Sequence, residues 1–315
     1  MASKQSPKDS TIGSTSTEVI SGLSAGFITT LVTHPLDLIK IRLQLDSTSK
    51  THLQGFRKVY EDIRRDATKP RSCAVHPSIV LKDYYRGIAP NLIGSATAWS
   101  LYFTLYKEFK HLSYEQLNHN SQGNAQLSSW DYLTCALAAG GTTSFLTNPI
   151  WVLKTRILST TKSTPGAYVS LLDGIKRILR EEGVRGFWKG LTPALISVSQ
   201  GALQFTIYDT IKFSVFASDT NSAPGTSQRE VNLSTVQYIY TSAVSKMIST
   251  VTLYPFQVIR SRLQGYRDPR AAKTNMFSVS RAIWQHEGVF GFYKGLAANL
   301  IRVVPATCIT FVVYE

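Results

Sequence analysis

An all-α membrane protein is the fold class this sequence predicts: six transmembrane helices in three pseudo-symmetric two-helix repeats around a central cavity, with short amphipathic helices on one side. Three observations predict it. A proline-headed motif occurs three times, a second motif ending in glycine follows each copy in the same order, and basic residues crowd the long loops while nearly avoiding the short ones.

The first motif reads Pro35-Leu-Asp-Leu-Ile-Lys-Ile-Arg-Leu-Gln44, then Pro149-Ile-Trp-Val-Leu-Lys-Thr-Arg-Ile-Leu158, then Pro255-Phe-Gln-Val-Ile-Arg-Ser-Arg-Leu-Gln264. The second reads Tyr85-Arg86-Gly87, Trp188-Lys189-Gly190 and Tyr293-Lys294-Gly295, and the last two copies share an approach, Glu182-Gly183 and Glu287-Gly288. Two different motifs recurring in order, about a hundred residues apart, mark internal duplication. Polar stretches rich in Ser, Asn, Gln and Gly at 115–128 and 217–232 separate the copies. The predicted organisation is an N-terminal disordered tail at 1–17 and repeats at 18–115, 128–217 and 232–315, with the last helix cut short. The tail is polar, lacks arginine and has no apolar run, so it reads as neither a secretory signal nor a transit peptide.

Each repeat parses alike. An apolar stretch rich in small residues runs into the proline motif (19–45, 130–158 and 235–263). A polar loop with a short amphipathic segment follows, as at 171–179 and 277–284, and a second apolar stretch follows the glycine (88–109, 191–216 and 296–314). Helices of roughly 20 to 28 residues are long enough to cross a bilayer with tilt.

Composition alone argues for a soluble chain: 43% of the 315 residues are hydrophobic and the mean hydropathy is −0.04. Loop charge argues the other way. The first long loop holds Lys50, Arg57, Lys58, Arg64, Arg65, Lys69, Arg71 and Lys82, and the other two are similarly basic, whereas the short loops hold Arg229 alone. With six spans all long loops share one face, the asymmetry of a membrane protein. Spans of mixed polarity are what a water-filled cavity demands. The net charge of +14 and pI of about 9.7 suit an anionic substrate, an anionic membrane surface or nucleic acid. A soluble basic helical repeat that binds nucleic acid is therefore the alternative from a different class. Cys73, Cys135 and Cys308 are scattered and odd in number, so neither a disulfide scaffold nor a metal site is expected. No nucleophile–base arrangement, P-loop or GxGxxG is present, so no enzyme is expected.

These motifs resemble the mitochondrial carrier family, whose tripled pattern is Pro-x-[Asp/Glu]-x-x-[Lys/Arg]-x-[Lys/Arg] with an aromatic–basic–Gly element downstream. The resemblance covers residues 18 to 315. Pro149-Ile-Trp151 in the second repeat and a lysine inside the fifth helix are similar to the folate, FAD and pyrimidine-nucleotide branch, and the stretches 20–26, 147–156 and 199–203 are most like its fungal FAD-carrying members. The resemblance implies a monomeric multi-pass transporter of the mitochondrial inner membrane, with both termini facing the intermembrane space. It implies alternating access and FAD, or a close flavin nucleotide, as substrate; folate, NAD and pyrimidine nucleotides are the other anionic planar candidates. No cofactor is expected. Cardiolipin is the lipid expected at the helix starts Trp188-Lys189-Gly190 and Tyr293-Lys294-Gly295, where free backbone N–H groups suit phosphate.

The resemblance also assigns two gates. Pro35, Pro149 and Pro255 each remove a helix hydrogen bond and kink an odd-numbered helix, and the third and sixth motif positions lie on one helix face. On the matrix side the basic places are Lys40, Lys154 and Arg260, but Asp37 is the only acid; Trp151 and Gln257 fill the other two. The expected partners are Asp37 with Lys154, Trp151 stacked on Arg260 for about 0.5–2 kcal/mol, and Gln257 with Lys40. Gln44 and Gln264 match the bracing glutamines and Leu158 does not, so a weak closed state is expected on this side. On the cytoplasmic side the expected pairs are Asp209 with Lys110 and Glu315 with Lys212.

The substrate site is expected among Arg302, Lys246, Gly94, Ser197, Val198, Trp99, Asn91, Asn299 and Gln204. Gly94, Ser197 and Arg302 each lie seven residues beyond a motif glycine. A charged residue within a span is a functional candidate by default, and the arginine fork suits phosphate or carboxylate. Lys246 stands nine residues before Pro255, where the other repeats have Gly26 and Gly140. Gly94 and Ser197 leave room for a flat ring, Trp99 offers it a stacking face, and the amides supply hydrogen bonds.

Overall fold

The computed structural model describes residues 9–49, 51–68, 84–120, 127–160, 167–168, 170–216, 234–265, 275–303 and 305. They form helices α1 (Asp9–Leu45), α2 (His52–Thr68), α3 (Ile88–Asn120), α4 (Ser129–Ser159), α5 (Leu171–Glu181), α6 (Leu191–Val198), α7 (Gln200–Phe216), α8 (Thr235–Gly265) and α9 (Met276–Gly291). Residues 296–303 and 305 are also helical, here α10. The described residues contain no strand.

Helix α1 already runs from Asp9, so the tail expected at 1–17 is helical over its second half; no proline interrupts 9–17, although its Ser, Thr and Gly residues are weak helix formers. Residues 1–8 lie outside the described residues, as do Cys73, Cys308, Glu315 and most of the last helix expected at 296–314. The single helix expected at 191–216 is divided at Ser199, whose Oγ donates to the Ile196 carbonyl at 2.7 Å. Pro35, Pro149 and Pro255 sit inside α1, α4 and α8, each of which continues through its proline.

The three amphipathic helices pack in matching places. Val59 and Ile63 of α2 bury against Leu38, Ile41 and Leu43 of α1. Ile178 of α5 buries against Val152 and Leu153 of α4, and Val279 and Ile283 of α9 against Tyr254, Val258 and Ile259 of α8. Apolar residues three or four apart give each short helix one face to bury. Ser170 starts α5 by accepting from the Asp173 backbone N–H at 3.2 Å.

Along the long helices polarity is inverted. Thr143, Thr147 and Asn148 of α4 are buried, and so are Thr241, Ser245 and Ser249 of α8. Leu137, Phe145 and Leu146 of α4 and Met247 and Ile248 of α8 are exposed. Phe27, Val32, Phe103, Phe205 and Ile301 are also exposed on their helices. Among the described residues no helix is long and apolar enough to cross a membrane.

Candidate functional site

The site is a polar ring where the C-terminal halves of α1, α4 and α8 meet, and it is built from contacts that repeat three times. The first set lies within each repeat. The residue before each proline reaches the carbonyl of the basic residue before each motif glycine: His34 Nε2 lies 3.0 Å from the Arg86 carbonyl, Asn148 Nδ2 donates to Lys189 at 3.3 Å, and Tyr254 Oη donates to Lys294 at 3.0 Å. Facing a carbonyl, His34 Nε2 carries the proton, which leaves Nδ1 to accept from Asn91 Nδ2 at 3.3 Å. Sequence reasoning missed this position. Its signal was a side-chain donor before the proline in all three copies.

The second set joins each repeat to the next. Gly87, Gly190 and Gly295 have φ of 76°, 75° and 83°, a conformation natural only to glycine. Each also admits the following repeat's odd-numbered helix. A Cβ on Gly190 would lie 3.1 Å from the Arg260 carbonyl oxygen, and one on Gly295 3.0 Å from that of Lys40. At Gly87 the neighbour is the Leu158 side chain. The last basic residue of each proline motif spans the same seams. Arg42 Nε donates to the Leu158 carbonyl at 3.3 Å, Arg156 Nε to that of Gln264 at 3.0 Å, and Arg262 Nε to that of Gln44 at 2.9 Å.

The bracing residues lie in these seams. Gln44 Nε2 donates to Tyr254 Oη at 3.0 Å, and Gln44 Oε1 accepts from Ser261 at 2.7 Å. Gln264 Oε1 accepts from Thr155 at 2.9 Å. Leu158 instead is fully buried among Leu38, Ile41 and Ala298, an apolar seam beside two polar ones.

Outside the bundle axis, two buried triads fix the glycine motifs. Arg156 NH2 meets Glu182 Oε2 at 2.8 Å, and Lys189 Nζ meets the same oxygen at 3.0 Å. Arg262 grips Glu287 through two nitrogens, and Lys294 Nζ lies 2.6 Å from Glu287 Oε2. Burial pushes both carboxyls up, but the paired cations hold them below the ordinary glutamate value. The Lys189 and Lys294 amines, at the helix starts where cardiolipin is expected, are thus already engaged.

The ring itself carries one carboxylate. Asp37 Oδ2 lies 3.5 Å from Lys154 Nζ, and Asp37 Oδ1 lies 3.3 Å from Arg302 NH1. Lys40 Nζ donates to Gln257 Oε1 at 3.3 Å and to Asn299 Oδ1 at 2.9 Å. Gln257 passes the chain on to Gln200 at 3.2 Å, and Gln200 to Thr250 at 3.0 Å. Trp151 does not stack on Arg260. Its ring lies 5.1 Å from Lys154 Nζ on its own helix, because residues three apart on a helix are neighbours.

Several expected substrate residues are used elsewhere. Asn91 and Asn299 belong to the ring: Asn91 Oδ1 accepts from Lys154 at 2.7 Å while its Nδ2 lies 3.4 Å from Asp37, and Asn299 Oδ1 also accepts from Arg302 at 3.4 Å. These two amides add acceptors for Lys154 and Lys40 beside Asp37 and Gln257. Gly94 does not open space for a ring; a Cβ there would lie 3.1 Å from Ile150, so this glycine lets α3 and α4 pack closely. Val198 likewise fills the surface of Gly140. Ser197 Oγ donates to its own helix at Pro193. Trp99 is exposed and stacks on Phe103 at 5.6 Å. Lys246 is exposed and lies within electrostatic range of Arg302. No hydrogen bond from the Gln204 side chain or the Lys246 amine occurs among the described residues.

At the other end the expected gate is apart. Lys110 lies over the Tyr132 ring at 5.8 Å, not beside Asp209. Neither Asp209 nor Lys212 forms an ion pair among the described residues, and Glu315 lies outside them.

This geometry accompanies a match to the family model for "Mitochondrial carrier protein" over residues 13–69, 125–218 and 231–315, well over half of the chain. The mitochondrial FAD carrier protein of Saccharomyces cerevisiae is 44% identical over 307 residues, 95% of this chain and 94% of that one. The chloroplastic folate transporter 1 of Arabidopsis thaliana is 34% identical over 93% of this chain and 92% of its own. The mitochondrial nicotinamide adenine dinucleotide transporter 2 of the same plant is 33% identical over 93% and 76%. With three copies of one helical unit locked end to end and the family model matching all three, the chain belongs to the mitochondrial carrier family.

Proposed function

We propose that this chain carries FAD across the mitochondrial inner membrane by alternating access. The observation that carries the reading is the charge of the ring: Lys40, Lys154, Arg260 and Arg302 face a single carboxylate, Asp37. Such an excess of cations inside a helix bundle calls for an anionic ligand. The 44% identity to the yeast FAD carrier over nearly the whole of both chains supports the flavin nucleotide as that ligand.

The inverted polarity supports the membrane. Exposed Phe, Leu and Ile over buried Thr, Ser and Asn suit an oily exterior and a wet interior. A helix that spends one face on water needs no long uniformly apolar run, which fits a mean hydropathy of −0.04. In this reading six tilted spans enclose a central cavity in a monomer with its termini in the intermembrane space. The ring closes the matrix end while Lys110, Asp209 and Lys212 stand apart at the open end. Lys246, Arg302 and Gln204 bind the substrate, with Trp99 flanking it. Cardiolipin seats against the backbone N–H groups after Gly190 and Gly295.

Folate and NAD are the rival cargoes, because two relatives carry those names. Reconstitution separates them. Liposomes holding the pure protein should take up FAD saturably, with folate, NAD and pyrimidine nucleotides competing weakly. Strong folate uptake without FAD uptake overturns the substrate.

A further inference from the structure

The three seams differ at one basic residue. Across the first seam Lys154 receives Asp37 and Asn91. Across the third, Lys40 receives Gln257 and Asn299. Across the second, the equivalent cation is Arg260, and the positions that would serve it hold Trp151 and Ala194. Trp151 has turned to Lys154, and Ala194 is buried with nothing to offer. No hydrogen bond or ion pair from the Arg260 guanidinium occurs among the described residues. The surroundings add positive charge, since Arg260 lies within electrostatic range of both Lys40 and Lys154. Its stem runs close to Gly190, with Cγ 3.5 Å from where a Cβ there would stand. The residue as a whole is partly buried.

An arginine beside two lysines, with no acceptor among the described residues, is incomplete as a gate member. Its planar fork matches a phosphate. We propose that Arg260 seats a phosphate group of the substrate, the pyrophosphate of a dinucleotide, so that the cargo itself supplies the counter-ion missing from the second seam. This deepens the proposed function and rests on it. Arg302, already half committed to Asp37 at 3.3 Å, and Lys246 then hold the remainder of the anion. Binding thereby acts on the ring directly: an anion at Arg260 also draws Lys154 and Lys40 away from Asp37, Asn91 and Asn299.

The test uses the full chain in liposomes, FAD uptake as readout and inorganic pyrophosphate as competitor. Pyrophosphate should inhibit the wild type. Arg260→Gln should raise the KM for FAD about tenfold or more, the loss of one charge-assisted contact, and blunt inhibition by pyrophosphate; Arg260→Lys should restore part of both. Trp151→Glu keeps the arginine but gives it an internal carboxylate, and should weaken FAD and pyrophosphate alike. It carries the test if Arg260→Gln fails to fold. A wild type indifferent to pyrophosphate overturns the proposal. So does an Arg260→Gln or Trp151→Glu protein whose KM and pyrophosphate sensitivity stay within about twofold of wild type. If the wild type takes up another pyrophosphate nucleotide and no FAD, the FAD reading alone fails and the variants are scored on that nucleotide.

Discussion

Gly295 shows how much one missing methyl group decides. It holds φ at 83° and lets the Lys40 carbonyl oxygen within 3.0 Å of where its Cβ would be, with Tyr254 Oη at 3.1 Å. Gly295→Ala should cost about 1–2 kcal/mol for the left-handed backbone alone and more for the displaced seam, read as a lower melting temperature in detergent. Glu287 makes a second case. It is buried with Arg262 and Lys294, so Glu287→Gln should destabilise by about 3–5 kcal/mol at neutral pH. The sign of the pH dependence follows from the depressed carboxyl. Folding lowers its pKa, so its contribution is fully present above the ordinary value of 4.5 and is lost as pH falls through the lower folded value. Melting temperature measured across that range should fall more steeply for wild type than for Glu287→Gln. At this scale the sequence was partly legible. The glycines, Asp37 and Lys154 stood out because they fall in the repeated motifs, and Arg302 because a charge within a span is costly. His34, Asn148 and Tyr254 did not, because three different residue types share that position and have in common only a side-chain donor.

At the scale of elements, the charged pair across the first seam tests how the helices are held. Asp37 serves Lys154 of α4 and Arg302 of α10 together. Exchanging the pair, Asp37→Lys with Lys154→Asp, recreates an α1–α4 contact but leaves Arg302 beside a new lysine. The double variant should therefore recover little of the transport lost by Asp37→Lys alone, whereas adding Arg302→Gln should improve its folding. Full recovery by the simple exchange contradicts the shared carboxylate. Sequence placed α1, α4 and α8 well, since proline motifs fixed their ends. It did not foresee that Gly94 and Val198 serve packing between neighbouring helices, because spacing counts turns and not the distance to the next helix. Nor did it foresee the break at Ser199, which depends on a side chain capturing its own backbone carbonyl.

At the scale of the whole molecule, the fold was legible because it is written three times; one repeat alone, at this hydropathy, reads as an ordinary amphipathic segment. Arg57, Lys176 and Arg281 lie on the amphipathic helices, while Ser128 and Ser234 flank the short loops. With native cysteines replaced, a single cysteine at Ser128 or Ser234 should react with an impermeant maleimide in mitoplasts. One at Arg57, Lys176 or Arg281 should react only after the membrane is opened. Labelling at all five positions from outside contradicts the topology.

The seams form a closed cycle, since Gly87 receives α4, Gly190 receives α8 and Gly295 receives α1. A circle has no first member. Severing the peptide at 121–126 therefore deletes none of the three joints, and two co-expressed pieces should find each other and assemble into a working unit, with the covalent link between modules dispensable once they have met.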